Sequence, residues 1–341
     1  MFGNMYKMIN IFDFVVIGII VISIVTAIFK NKKLQQKKQN LVKNSEFIEK
    51  NRSKYEQIIN KNSANLRDEK KEYKRNGVIF VILILIPLIL YFVTGEMIFI
   101  ILFPAVIVIG MLIFGKKANA YTSKSKEMYE ETAKTILKEL NSDLEYFPGK
   151  GYTYQEYMPL YFYEDCDIFT SDDMIINNKT SFCTADIKIQ SEHEDDDGHT
   201  SYVTEYDGSL AKIDIIDIKC TIILGGLSKG SFKRSDILTE IMFENDEFNE
   251  QFLCFTDNEL QAYKILTPDI MEELLNIKKS TIGGMEVRLI NDKLYIRFSG
   301  TNGFDGSGDS KEELFSSVVV LDEIMKTMNK IKEIIEKKTI N

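Results

Sequence analysis

Two stretches without a single charge, Val78 to Val93 and Met97 to Phe114, constrain this chain more than any other feature, and only Thr94-Gly95-Glu96 separates them. A helix rises about 1.5 Å per residue, so each stretch reaches roughly 24 Å or more, near the thickness of a bilayer's hydrocarbon core. A buried pair of soluble helices would keep a polar stripe toward water, and neither stretch has one. The pattern predicts a transmembrane helical hairpin over residues 77–115, because a helix satisfies its backbone groups inside lipid.

A further apolar segment, Phe14 to Phe29, extends with Ile11 and Phe12 to spanning length and is expected to form an N-terminal anchor over residues 1–29. Val25-Thr26-Ala27 also fits a signal-peptide cleavage motif, which leaves that alternative open. The charges favour the anchor: a signal peptide carries its basic residues before the apolar core, whereas here only Lys7 precedes it and Lys30, Lys32, Lys33, Lys37 and Lys38 follow. A hairpin returns the chain to its starting side, so residues 30–76 and 116–341 share a face. From Lys30 to Arg75 there are 15 basic and 6 acidic residues, a net of +9, and such flanks stay in the cytoplasm. The expected arrangement is a multi-pass protein of the cell membrane, N-terminus outside, with a large cytoplasmic C-terminal domain.

That domain is acidic. Residues 116–341 hold 26 basic and 43 acidic side chains, a net of −17, so the chain's −9 is a sum of opposites. Anionic lipid attracts the linker and repels the domain. An acidic domain without a basic aromatic face excludes nucleic acid as a partner. The spans carry no interior charge, which argues against a pump, a channel or an intramembrane protease. Cys166, Cys183, Cys220 and Cys254 lack CxxC spacing and suit a reducing compartment.

Local patterning predicts an α+β cytoplasmic domain, an antiparallel sheet with a C-terminal amphipathic helix, on an α-helical membrane anchor. In the basic linker, residues 30–76, Leu34, Leu41, Ile48 and Tyr55 recur every seven residues, and Ile59, Leu66 and Tyr73 resume the interval after a four-residue step. This is a helix with a narrow apolar seam. Packing on the C-terminal helix, a second subunit or the membrane surface are all open to it, and helices 34–73 and 311–338 are the expected surfaces for self-association or a protein partner. Ala118 to Leu144 reads as a helix stopped by Pro148 and Gly149. Ser181 to Gln190 and Leu210 to Leu224 read as strands, while Met285–Ile290 and Lys293–Phe298 form a hairpin about Asn291-Asp292. Thr267 is placed to cap a helix to Lys278, with Pro268 in its first turn. Ser310-Lys311-Glu312-Glu313 is a capping box, and Leu314, Val318, Leu321, Met325, Met328 and Ile335 mark one face of the helix that follows. Helices are expected on one side of the sheet.

Residues 243–298 carry the run "ENDEFNEQFLCFTDNELQAYKILTPDIMEELLNI" and then "MEVRLINDKLYIRF". These resemble the bacterial membrane-protein family known as domain of unknown function 3137, and "EDCDIFTSDDMI" resembles that family's acidic segment before its first strands. The resemblance covers most of Ala118 to Ile335 and departs at "IKCTIILGGLSKGSF". It implies membrane spans followed by a cytoplasmic domain. It brings no assigned catalytic residue.

Chemistry is sparse. Both histidines fall in "SEHEDDDGHT", where His193, Asp195, Asp197 and His199 are the candidate metal ligands. In a calcium-loop register Gly198 takes the glycine position, but Thr204 stands where a bidentate Glu belongs, and zinc wants closer histidines or added cysteines. A solvated loop is the plainer reading. Gly303–Ser310 lacks the Lys-Ser/Thr pair of a phosphate loop, and Gly225–Arg234 lacks a following amphipathic helix. No pattern calls for a cofactor or assembles a catalytic centre. The leading expectation is a non-enzymatic, membrane-anchored scaffold or regulatory module. The alternative is a cation- or small-ligand-binding sensor or enzyme built on the His193–His199 loop.

Overall fold

The computed structural model describes residues 45–339 apart from 65, 95–97, 161, 163–165, 196–197, 217, 226–237, 281–283, 302–303 and 305–310. The first apolar segment, Leu34 and Leu41 of the seam, the Ser310 cap and nearly all of both glycine-bearing loops lie outside the described residues.

The linker seam forms helix α1 (Glu46–Ala64), which starts at Ser45, whose Oγ accepts from the Ile48 amide at 3.3 Å. Ile48, Tyr55 and Ile59 are buried against the chain's own helices, and the Tyr55 ring lies 6.4 Å from Phe315 of the C-terminal helix. Two long helices follow, α2 (Arg67–Thr94) and α3 (Ile98–Leu140). They run antiparallel: Tyr73 stacks on Tyr121 at 4.7 Å, Phe80 meets Phe114 at 5.7 Å, and Glu69–Lys124 and Glu72–Lys117 pair at 2.6 and 2.7 Å. Gly110 allows this approach, since a Cβ there would fall 2.1 Å from the Phe80 ring. The outgoing helix ends at Leu140, four residues before the predicted stop, because Leu144–Phe147 is an edge strand, β1, that pairs with residues 174–177.

Beyond β1 lie β2 (Ile168–Asn177), β3 (Phe182–Glu194), β4 (Thr200–Asp214), β5 (Ile222–Gly225), β6 (Thr239–Ile241), β7 (Leu253–Thr256), β8 (Met285–Ile290) and β9 (Lys293–Ser299). All pairings are antiparallel, in the order β1-β2-β3-β4-β9-β8-β5-β7-β6. The α+β class is thus observed. The predicted Asn291-Asp292 hairpin is present, with both residues at positive φ, 51° and 58°.

The isoleucine-rich stretch Leu210–Leu224 is two strands rather than one. β4 flanks β9 while β5 flanks β8, so the chain between them must cross the end of the β8–β9 hairpin. Asp292 holds the crossing: its carbonyl accepts from the Ile215 amide at 2.9 Å and its Oδ1 from the Ile218 amide at 2.8 Å. Asp292→Ala should cost about 1–3 kcal/mol by stranding the Ile218 amide and straining a left-handed position, whereas Asp292→Asn, which keeps an acceptor, should cost far less. Denaturant titration of the pair checks this; equal losses would show that the side-chain acceptor plays no part.

Helices also occupy more than one side of the sheet, contrary to expectation. The one-turn helix α4 (Tyr154–Tyr157) lies on one face, and on the other lie α1, the inner half of α3, α5 (Asp246–Gln251), α6 (Glu259–Ile265), α7 (Pro268–Ser280) and α8 (Lys311–Thr339), over Ile213, Leu294, Ile296 and Phe298. Leu314, Val318, Leu321, Met328 and Ile335 of α8 are buried as the spacing predicts. The face of α4 is covered by residues 152–160 and Phe162, including α4 and a 3-10 turn at Met158–Leu160, and Tyr157 and Phe162 lie over Ile187, Ile189 and Leu210. The reason is β3 itself: Phe182 to Ile187 is buried at every position, so both its faces need cover. At α7 the helix begins at Pro268 as predicted, but the Thr267 hydroxyl is buried and makes no hydrogen bond; the Thr267 carbonyl receives the Met271 amide instead.

Candidate functional site

The covered second face carries a group of charges whose alternation would suit a solvent-facing side. Glu286 and Arg297 are cross-strand partners, and their side chains pair at 2.8 Å. Arg288 is fully buried. It donates from Nε to the Leu160 carbonyl at 3.2 Å, from Nη1 to the Leu224 and Val287 carbonyls at 2.8 and 3.0 Å, and from Nη2 to Glu286 at 3.3 Å. Both guanidinium groups lie over the Phe162 ring, at 4.2 and 4.8 Å. Burial pushes the Arg288 guanidinium down to about 10, with Glu286 acting the other way. These contacts use the donors inward. The group fastens Leu160 and Phe162 of the cover to the sheet.

The surface of α2 and α3 is of another kind. Around the middle of both helices the apolar side chains point outward: Val78 and Leu112 are 60% and 65% exposed, and Leu85, Ile89, Val108 and Ile109 are also exposed. Patches of this extent on a soluble surface mark an interaction site. Among the described residues one helix, Pro104–Leu140, is long and apolar enough to cross a membrane by length and composition.

Where the hairpin meets the sheet, a cleft of about 470 Å³ is lined by Lys70, Lys74, Lys126, Tyr73, Tyr121, Tyr146, Asp172 and Asp173, among others. Its inner wall is shaped by a bulge in β2. Asp172 pairs with Asp186 and Ile175 with Thr184, so two residues, Asp173 and Met174, stand against one. The bulge turns Asp173 to φ 52° and lets adjacent aspartates serve one place. Carboxylate oxygens of Asp172, Asp173 and Asp186 lie within 4.8 Å of one another. Tyr146 donates its hydroxyl to Asp173 at 2.5 Å, and burial together with that carboxylate pushes the phenol well above its usual range. Asp186, on the buried helix-side face, accepts from the Ser209 hydroxyl at 3.0 Å.

The predicted ligands fall elsewhere. β3 extends to Glu194, so His193 lies on a strand and not in the loop, with Nε2 3.2 Å from the Ser191 hydroxyl and 3.9 Å from Glu205. His199 Nδ1 is 3.4 Å from Asp195, whose Oδ1 also accepts the His199 amide at 2.8 Å. Asp197 lies outside the described residues. The two imidazoles thus face different carboxylates at the exposed tip of the β3–β4 hairpin. The Asp172–Asp173–Asp186 group was missed because two of its members are sequence neighbours, which a regular strand sends to opposite faces. The available signal was an Asp-Asp pair interrupting the apolar sequence of a strand.

Residues 209–337 match the family described as protein of unknown function (DUF3137), so the resemblance drawn from residues 243–298 holds. No curated protein matches the chain. Among solved structures, the mycobacterial trehalose monomycolate transport factor A, TtfA, is similar at 7% identity with a TM-score of 0.38, over 60% of this chain and 93% of that one. A likeness at that level carries no argument.

Proposed function

We propose that this chain is a membrane-anchored scaffold or regulatory module, non-enzymatic, in which α2 and α3 cross the bilayer as a hairpin. The single observation that carries the reading is the outward-facing, charge-free apolar surface of both helices, which water would penalise and lipid would not. In this reading residues 1–29 form a further anchor, residues 30–76 a basic cytoplasmic segment beside the lipid headgroups, and residues 116–341 a cytoplasmic domain that holds a protein partner. The charge difference between linker and domain supports the orientation.

Side-specific labelling tests it. Cysteines introduced at the half-buried Glu56 and at the exposed Thr94 and Glu244 report the two sides of the membrane. The native thiols interfere little: Cys183, Cys220 and Cys254 are buried, which raises their thiol pKa, Cys220 to about 11, and Cys166 can be replaced by serine. An impermeant maleimide should label position 94 from outside, and positions 56 and 244 only after the membrane is broken. Labelling of 56 and 244 on opposite sides would rule the hairpin out. Cross-linking in membranes then tests the scaffold: recovery of the chain alone, with neither partner nor self-association, would count against it.

A further inference from the structure

We propose that Asp172, Asp173 and Asp186, together with the Thr184 hydroxyl, bind one hard divalent cation. This does not depend on the bilayer reading. Two independent observations carry it. The first is the convergence of three carboxylates from two strands, within 4.8 Å of one another. The second is Thr184: its side chain is on the same face of β3 as Asp186, it is only 5% exposed, and its Oγ1 is buried without a hydrogen bond. Such an orphan is destabilising unless a ligand reaches it.

Thr184, Asp173 and Asp186 line the same small cavity beneath α8, about 10 Å³, close to the room one water or one bare ion occupies. Asp173 also lines the 470 Å³ cleft, which supplies a path from solvent. The donors are all oxygens, the set chosen by calcium, magnesium and manganese rather than by zinc or copper.

The bound ion would tie β2 to β3 under α8 at the place where the hairpin's base meets the sheet. The test uses the full chain in detergent, freed of metal and titrated with calcium, magnesium and manganese by calorimetry and thermal unfolding. At least one of the three ions should bind and raise the unfolding temperature, since a ligand of the folded state alone stabilises it. Asp172→Asn, at an exposed carboxylate, should leave the metal-free unfolding temperature near that of the parent chain and weaken binding of that ion by at least roughly 10-fold, the smallest loss seen when even the outer partners of a metal's ligands are disturbed. Thr184→Val should weaken it as well, and it serves as the second variant should Asp186→Asn fail to fold. Asp195→Asn, in the β3–β4 tip, should change nothing. The proposal is overturned if none of the three ions binds, in which case a single water serves the Thr184 hydroxyl. It is equally overturned if binding survives Asp172→Asn and Thr184→Val unchanged, or is abolished by Asp195→Asn.

Discussion

Arg288→Ala is expected to destabilise the domain by about 3–5 kcal/mol, the usual cost of breaking a buried, hydrogen-bonded charge pair from one side. The side chain has no exposure, and its removal strands the Leu160 and Leu224 carbonyls while opening a cavity under the Phe162 ring. Glu286 keeps Arg297 at 2.8 Å, which places the loss nearer the lower end. Arg288→Met restores the stem's packing without the donors and should recover part of the stability. Denaturant unfolding followed by near-ultraviolet circular dichroism, dominated here by tyrosine because the chain has no tryptophan, checks both. A loss under about 1 kcal/mol, typical of surface changes, would mean that residues 152–160 and Phe162 do not cover this face.

The second large effect concerns the hairpin. Leu85 and Val108 are 46% and 56% exposed and sit near the middle of their apolar stretches. On a surface in water, arginine at either position should shift stability by no more than about 0.5 kcal/mol. At the centre of a spanning helix each arginine costs about 2.5–3.5 kcal/mol. The Leu85→Arg/Val108→Arg double variant should therefore lose a large share of its membrane-inserted population, while Leu260→Arg, at an exposed position on α6, should not. Alkaline extraction of membranes, with the chain followed in pellet and supernatant, separates the two cases.

The parts of the fold legible in the sequence are those in which one local pattern suffices. Asn291-Asp292 between alternating strands specifies the β8–β9 hairpin, and the spacing from Leu314 to Ile335 specifies the buried face of α8. The seam at Ile48, Tyr55 and Ile59 was visible too; its packing on the C-terminal helix was one of the partners left open, while its contact with α3 was not foreseen. What escaped depends on distant partners. β1 is four residues long and exists because β2 lies beside it. The break between β4 and β5 falls within a stretch, Ile213 to Ile222, that no glycine or proline interrupts, and only the sheet order forces the chain across the hairpin end there. Glu286, Arg288 and Arg297 alternate with apolar neighbours, the pattern of a half-exposed strand, and their burial follows from a cover contributed by residues more than a hundred positions earlier. The acidic group required a bulge whose register local sequence does not specify.

The most direct test of the membrane hairpin is the environment of its outward-facing side chains. Spin labels attached to cysteines at positions 85 and 108, in the full chain reconstituted into bilayers, can be relaxed by dissolved oxygen, which concentrates in lipid, or by a water-soluble nickel chelate. A hairpin crossing the bilayer predicts strong relaxation by oxygen and little by the chelate at both positions. Relaxation dominated by the chelate at both would place these helices in water and contradict the anchor.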